Sequence, residues 1–508
     1  MNEESSQRHR GAITVLVLLA AMMQTLDTTI VNVALPYVQG SVAASQDQIT
    51  WTLTSYITAA AIMTPPTGFL VGRFGLKRVF VISTLGFTVA SMLCGMADTL
   101  AQIVVFRLVQ GAFGAAMIPL SQTVLLTIYP KERQGFAMAL FGIGVVVGPV
   151  LGPMIGGWLT EDYSWRYVFY INGPLGIIGF LGMLAFLPDS PRSGSQKFDW
   201  FGFGTLSLAI GALQILLDRG EIKDWFGSSE IIIEALIAAS ACYLFLVHTF
   251  TTKRPFVRPA LFHDRNFTAG VIFSVVAFVT LYASLALQPP YLQDMMNYPV
   301  LTAGLVMGPR GIGTMIATIL VGRFVGKVDT RVLLAIGLGL SAWAFYVMTS
   351  WTPDVSEREI IVTGLVQGAG FGTLFVPMSA VTLSTLSPED RADGASIFSL
   401  SRSIGSSVGI SAFTALLTTN TQVNHADISA NVTAVNRALA APGVAQFWSP
   451  FTAAGRAALD GLVTQQAQII AYIDDYKLLL IATLALFALL VIFKKSGGLP
   501  AGAAAVEG

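Results

Sequence analysis

The chain has 508 residues, 54% of them hydrophobic and only 11% charged, against roughly 25% charged in an ordinary soluble domain, which excludes a soluble globular enzyme, a disordered chain and a secreted disulfide scaffold. Lys+Arg and Asp+Glu both number 29, so the net charge points to no nucleic-acid or acidic partner and the placement of the charges carries the information instead. Apolar runs bounded by charges, Pro and Gly predict an all-α polytopic membrane protein. Its fourteen spans fall at 13–36, 51–71, 79–97, 101–126, 135–158, 166–187, 200–218, 231–250, 267–290, 301–321, 332–351, 359–383, 394–418 and 476–493, most of them close to the 20 or so residues that cross a bilayer. The first run follows Arg8 and Arg10 as a signal peptide would, but it is too long, carries Asp27 and lacks a small-residue cleavage site; it is expected to be a retained span.

An even number of spans puts both termini on one side, and the basic residues say which. Of the 29 Lys and Arg, nineteen fall on the side of the N-terminus, seven on the other, and three (Arg107, Arg310 and Arg402) inside spans. This bias predicts cytoplasmic termini. Most loops are too short for a soluble catalytic domain. The exception, 419–475 on the outer side, turns apolar at helical spacing from Leu459 to Ile473 and is expected to form helices that extend from the membrane or lie on it. The Gly/Ala tail 496–508 reads as disordered. Gly68-Phe-Leu-Val-Gly-Arg-Phe-Gly-Leu-Lys-Arg78 after the second span is echoed by Val321-Gly-Arg-Phe-Val-Gly-Lys-Val-Asp-Thr-Arg331 after the tenth. With two central helices set aside as an insertion (191–262), the chain divides into six-helix halves at 1–190 and 263–495, and duplicated halves around a midplane site are a transporter architecture.

Asp27 is the one carboxylate placed well inside a predicted span. A charge there costs roughly 2.5–3.5 kcal/mol on insertion scales, so it persists where it faces a cavity or a partner. It is either a reversible proton carrier or a structural carboxylate paired with an Arg. Arg107, also mid-span, either modulates such a carboxylate between conformations or locks two helices in a fixed ion pair. Arg310 and Arg402 lie closer to span ends, where snorkelling is an alternative. Gly144, Gly148, Gly152 and Gly156 recur every four residues with Pro149 and Pro153 interleaved, which predicts a close, bendable or sliding helix contact. Gly68, Gly72, Arg73, Gly75, Lys77 and Arg78 form a basic turn whose cations also satisfy orientation. The sequence has no Gly-x4-Gly-Lys-Ser/Thr and no clustered histidines or Ser/His/Asp set, so neither ATP drive, a metal, another cofactor nor an enzyme activity is expected.

These residues resemble the major facilitator superfamily, and within it the fourteen-span drug/proton antiporters typified by the EmrB-type multidrug exporters. Leu26-Asp-Thr-Thr-Ile-Val-Asn-Val-Ala-Leu-Pro36 is similar to that group's first-span signature, Arg107 with Gln110 and Gly111 to its fourth-span motif, and Gly144 through Gly157 to its antiporter motif. The resemblance implies proton coupling through Asp27 and Arg107, and locking by the loop residues Gly68, Arg73, Gly75 and Lys77 or by their second copy, Arg323, Lys327 and Asp329. One position departs: Gly72 stands where the family's loop carries an Asp. The long outer loop is similar to that of pumps that work with an EmrA-like periplasmic adaptor and an outer-membrane channel.

The expected function is therefore proton-coupled export of hydrophobic or amphiphilic compounds by alternating access in the bacterial inner membrane, with substrate and proton competing, directly or through conformation, for a central cavity between the halves. Candidate cavity residues are Asn32, Gln110, Gln288, Tyr291, Arg310 and Arg402. Three interior Arg against one Asp favour lipophilic weak acids or neutral amphiphiles over permanent dications. A dedicated metabolite or siderophore exporter and an uncoupled facilitator are the alternatives within transport; a membrane enzyme or lipid-handling scaffold would need a catalytic cluster at the headgroup level, and none is visible.

Overall fold

The computed structural model describes residues 9–493 except 131–132, 190–197, 221, 254, 326–327, 388–389, 433–438 and 440–447; the tail read as disordered lies outside them. The long helices are α1 (Arg10–Ser41), α2 (Trp51–Met63), α3 (Thr67–Phe74), α4 (Leu76–Met96), α5 (Leu100–Gly114), α6 (Met117–Ile128), α7 (Gln134–Asp162), α8 (Asn172–Phe186), α9 (Trp200–Arg219), α10 (Ser229–Thr251), α11 (Arg265–Pro290), α12 (Val300–Phe324), α13 (Thr330–Met348), α14 (Glu357–Ser384), α15 (Arg391–Ala430) and α16 (Ala453–Leu490). The pairs α2–α3 and α5–α6 are each one rod with a break, so these helices make fourteen rods, one for each predicted span. Among the described residues, ten candidate spans are long and apolar enough to cross a bilayer by length and composition alone. The break between α2 and α3 falls at Thr64–Pro66, where consecutive prolines remove backbone donors. The Ser-rich α15 packs on the second half and also on α6 of the first, and Ser401, Ser407 and Ser411 bond Ser274, Gln214 and the Leu217 carbonyl of neighbouring helices.

Helix ends follow local chemistry. Thr99, Asp199, Asp264, Ser356 and Thr452 each accept a backbone N–H in the first turn of α5, α9, α11, α14 and α16, which satisfies donors that the helix leaves open. Gly75 joins α3 to α4 at φ 87°, a conformation that favours glycine. The long segment 419–475 is, among the described residues, an extension of two rods: α15 continues to Ala430 and α16 begins at Ala453. The apolar periodicity seen from Leu459 to Ile473 is thus part of α16.

The first six rods pack among themselves and so do the last six, and the halves meet reciprocally. In chain order, the fifth rod of the first half, α7, packs on the second rod of the other, α12, while α15, the fifth rod of the second half, meets α2 and α3. The inserted α9 sits against both α2 and α15, and α10 packs on α9. At the end bearing the basic loops one apolar core draws on both halves, with Phe141, Leu125 and Val17 packed with Val321, Val376 and Phe267. The other two clusters of described residues draw on one half each, Ile30 to Phe169 and Ala269 to Phe493. The halves are therefore sealed at the basic end and packed separately toward the opposite one.

Candidate functional site

Asp27 sits at mid-length of α1, fully buried, in an ion pair with the equally buried Arg107 of α5. The Arg107 Nη1 donates to Asp27 Oδ2 at 2.5 Å. Oδ1 accepts from Gln110 Nε2 at 2.8 Å and from Asn172 Nδ2 at 3.0 Å. The carboxyl group is thus held from α5 and α8 at once. Arg107 also donates through Nε to the Thr52 carbonyl (3.1 Å) and through Nη1 to Gln110 Oε1 (2.8 Å). Its guanidinium lies 4.1 Å from the centroid of Tyr56 on α2, a cation–π contact that strengthens where water is excluded. Gly111 makes this possible: a Cβ there would come within 2.3 Å of the Tyr56 carbonyl oxygen, so only glycine lets α5 approach α2 this closely. Asn172 is held in turn by Ser91 Oγ at 3.0 Å. Protonating Asp27 would remove the charge that balances Arg107, so the pair is chemically able to convert proton binding into a rearrangement of α1 against α5.

The glycine stripe of α7 faces α1 of the same half. A Cβ at Gly148 would meet Thr25 Oγ1 at 2.2 Å and the Leu26 backbone nitrogen at 2.6 Å; at Gly152 it would meet Thr29 Oγ1 at 2.1 Å, and at Gly156 the Ile30 carbonyl oxygen at 2.9 Å. At Gly144 a Cβ would lie 3.3 Å from Leu18 Cδ2, and at Gly157 it would meet open space. The stripe therefore sets the backbone that carries Asp27, while Gly142, outside the stripe, faces Thr318 and Phe375 of the other half. The side chains of Pro149 and Pro153 lie outside the described residues.

In the second half, Arg310 of α12 is buried rather than snorkelling. It donates to Gln288 Oε1 (2.9 Å) and Ser284 Oγ (2.8 Å), and Gln288 continues to Gln367 at 3.3 Å. The described residues offer it no carboxylate partner. Arg402 of α15 is half-buried, in electrostatic reach of Tyr282 in its own half and Tyr56 in the other. It has no hydrogen bond or ion pair among the described residues. Asn32 is exposed on α1. Tyr291 is buried against Trp351 and Tyr472, away from the central pair.

At the basic end, Arg73 and Arg323 are exposed and Lys77 half-buried; Lys327 lies outside the described residues, and Asp329 caps α13 through the Arg331 N–H at 3.0 Å. The charges that gather here are different ones: Arg258 binds Asp390 (2.6 Å) and Asp393 (2.8 Å), and Asp393 lies directly on Gly68, where a Cβ would overlap its carboxylate at 1.8 Å. Gly72 has nothing within 4 Å of a Cβ.

Sequence reasoning passed over Asn172, Tyr56 and the buried Asp475 of α16. Asn172 stands at the start of α8, where an amide reads as an ordinary helix start, and Asp475 stands among charged neighbours that read as loop.

Two six-helix halves that share an apolar core at one end, the first of them holding a buried, networked Asp–Arg pair, define a solute transporter of the multi-pass membrane class. A family model described as Major Facilitator Superfamily matches residues 17–410. Multidrug export protein EmrB of Haemophilus influenzae is 37% identical over 431 residues, 84% of either chain, and Fatty acid resistance protein FarB of Neisseria gonorrhoeae is 36% identical over 422 residues, 83% of either. The fold is similar to that of the human organic anion transporter MFSD10, with a TM-score of 0.61 at 13% identity, over 94% of this chain and 99% of that one. The chain belongs to the major facilitator superfamily and, within it, to the EmrB-type multidrug exporters.

Proposed function

We propose that the chain exports hydrophobic and amphiphilic toxic compounds across the bacterial inner membrane in exchange for protons, by alternating access, with Asp27 as the proton-binding group and Arg107 as its counter-charge. The single observation carrying this reading is the buried Asp27–Arg107 pair: a bilayer-embedded ion pair is costly to keep, and its members sit on two different helices, so a change in the charge of Asp27 acts on the contact between them. With the basic loops read as the cytoplasmic side, the apolar core shared by both halves at that end supports reading this as an outward-facing conformer. In the cycle, protonation of Asp27 from outside releases Arg107 from its partner and accompanies substrate release, and return of the proton inside restores the pair.

Two interior cations without carboxylate partners, Arg310 and Arg402, support a preference for lipophilic weak acids, and the name of the gonococcal relative, a fatty acid resistance protein, points the same way. The lengths of α15 and α16 beyond the bundle support contact with an EmrA-like periplasmic adaptor leading to an outer-membrane channel. The test is gradient-driven efflux of a fluorescent weak acid from proteoliposomes, wild type beside Asp27→Asn. Loss of driven transport with retained substrate binding supports the assignment. Undiminished coupled transport in the variant removes it.

A further inference from the structure

The outer end of the second half contains a carboxyl group that the Asp27 mechanism does not use. Asp475 of α16 is fully buried, and neither of its oxygens has a hydrogen-bond partner. Beside it four aromatic rings close a circuit: Tyr291 lies 5.7 Å from Trp351 and 5.1 Å from Tyr472, and Tyr476 lies 6.0 Å from Trp351 and 6.4 Å from Tyr472, centroid to centroid. Three polar atoms of this circuit, the hydroxyls of Tyr291 and Tyr476 and the Trp351 Nε1, are also buried without partners. The adjacent Asp474 is different: it is half-exposed and paired with Lys477 at 2.9 Å.

An ionised carboxylate stripped of water and of every donor is among the costliest groups to bury, whereas its neutral form costs far less. Among the described residues Asp475 has no ion-pair partner, and the one charge acting on it is that of Asp474. On α16 itself the facing groups are Tyr472 and Tyr476, and Asp474, which opposes a negative charge; the turn after α11 contributes Tyr291 and Asp294, α13 leads into the uncharged Trp351, and α12 contributes Arg310, which reaches Tyr476 electrostatically. Where α15 packs on α16, the described residues pair His425 with Asp460 at 3.0 Å, further out. Tyr476 carries an idle hydroxyl and is in electrostatic contact with Asp475, so a donor for the ionised form is present in the same cluster. Both charge states are therefore accessible at one place, which is what a reversible site requires.

We propose that Asp475 is a second proton-binding site of the transporter, protonated in the outward-facing conformer and communicating with Arg310 through Tyr476. Its ligand is the proton arriving from the outer side. The assignment rests on the proton-coupled reading above for its role in transport, but its charge state is testable without transport. Infrared spectra of the purified full chain at neutral pH are expected to contain a protonated-carboxyl C=O band that is missing from Asp475→Asn and equally from Asp475→Leu, which fills the volume without a carbonyl. In proteoliposomes, the efflux of Asp475→Asn is expected to have a reversal potential that reports one proton fewer per substrate than wild type. Carboxyl regions that are the same in wild type and both variants would overturn the proposal, as would an unchanged stoichiometry. Should wild type show no driven transport at all, the antiport reading fails while the infrared comparison still decides the state of Asp475.

Discussion

Replacing Gly148 and Gly157 by Ala, separately, tests whether the glycine stripe exists to set the position of Asp27. Both glycines lie on α7, so the gain from replacing a helical Gly, about 1 kcal/mol, is common to the two and cancels in their comparison. What differs is the methyl group. At Gly157 it enters open space; at Gly148 it lands 2.2 Å from Thr25 Oγ1 and 2.6 Å from the Leu26 backbone nitrogen. The hydroxyl can rotate away but the backbone cannot, so α1 must shift. Overpacking of this kind costs about 1–3 kcal/mol, a factor of roughly 5 to 150 in an equilibrium constant. Unfolding of the detergent-solubilised variants should therefore place Gly148→Ala below Gly157→Ala by that margin. Efflux should fall in the first alone, because the displaced backbone is one residue from Asp27. Equal stability of the two variants, or a larger loss at Gly157, would refute the packing argument.

Arg107→Ala leaves the Asp27 carboxylate buried without its cation, a loss of about 3–5 kcal/mol in comparable buried pairs; adding Asp27→Asn should recover part of it, so a double-mutant cycle on unfolding that gives simple additivity would contradict the pairing. Gly68→Ala drives a methyl group into Asp393 and should favour conformers open at the basic end, read as increased labelling of cysteines introduced there, while Gly72→Ala, with open space around it, should label as wild type does. Arg402→Ala should reduce efflux of lipophilic weak acids several-fold more than efflux of neutral amphiphiles; parallel losses for both classes would mean that Arg402 serves structure and not cargo.

Much of the architecture was legible because apolar length and charge alternation are one-dimensional signals. The rods, the central insertion and the basic side all follow from them. Asp27 and Arg107 stood out for the same reason, as charges where charge is expensive. Their partners did not stand out: Asn172 becomes a ligand of Asp27 only because α8 packs on α1 and α4, and Tyr56 covers Arg107 only because Gly111 lets two backbones approach. The glycine period was plain, but its partner was not. A stripe fits any neighbour of the right shape, and the structure turns it toward α1 of its own half rather than across the interface. Asp475 was lost for the opposite reason. It adjoins Asp474 and Lys477, so its surroundings read as solvent-facing loop until helix packing buries one of three adjacent charges and leaves the other two outside.

The charge distribution also constrains how proton and cargo can communicate. With Asp27 ionised, Arg107 is neutralised and the interior cations without a carboxylate are Arg310 and Arg402. Protonation of Asp27 adds a third. For an anionic cargo held near Arg402 this is an attraction, worth roughly 1 kcal/mol beyond direct contact at an effective dielectric constant of about 20, or about fivefold in affinity. Electrostatics alone would then make the proton tighten the cargo, the reverse of what antiport needs, so release of a weak acid has to come from the change of conformation rather than from competition for one site. For a cationic cargo the signs agree and direct competition suffices. Asp27→Asn imitates the protonated charge state, and its equilibrium affinity, measured calorimetrically with the protein in detergent, should be unchanged or a few-fold tighter for a lipophilic anion and weaker for a lipophilic cation. A weaker anion affinity in Asp27→Asn would place the cargo in direct contact with the Asp27 network and would return the mechanism to simple competition.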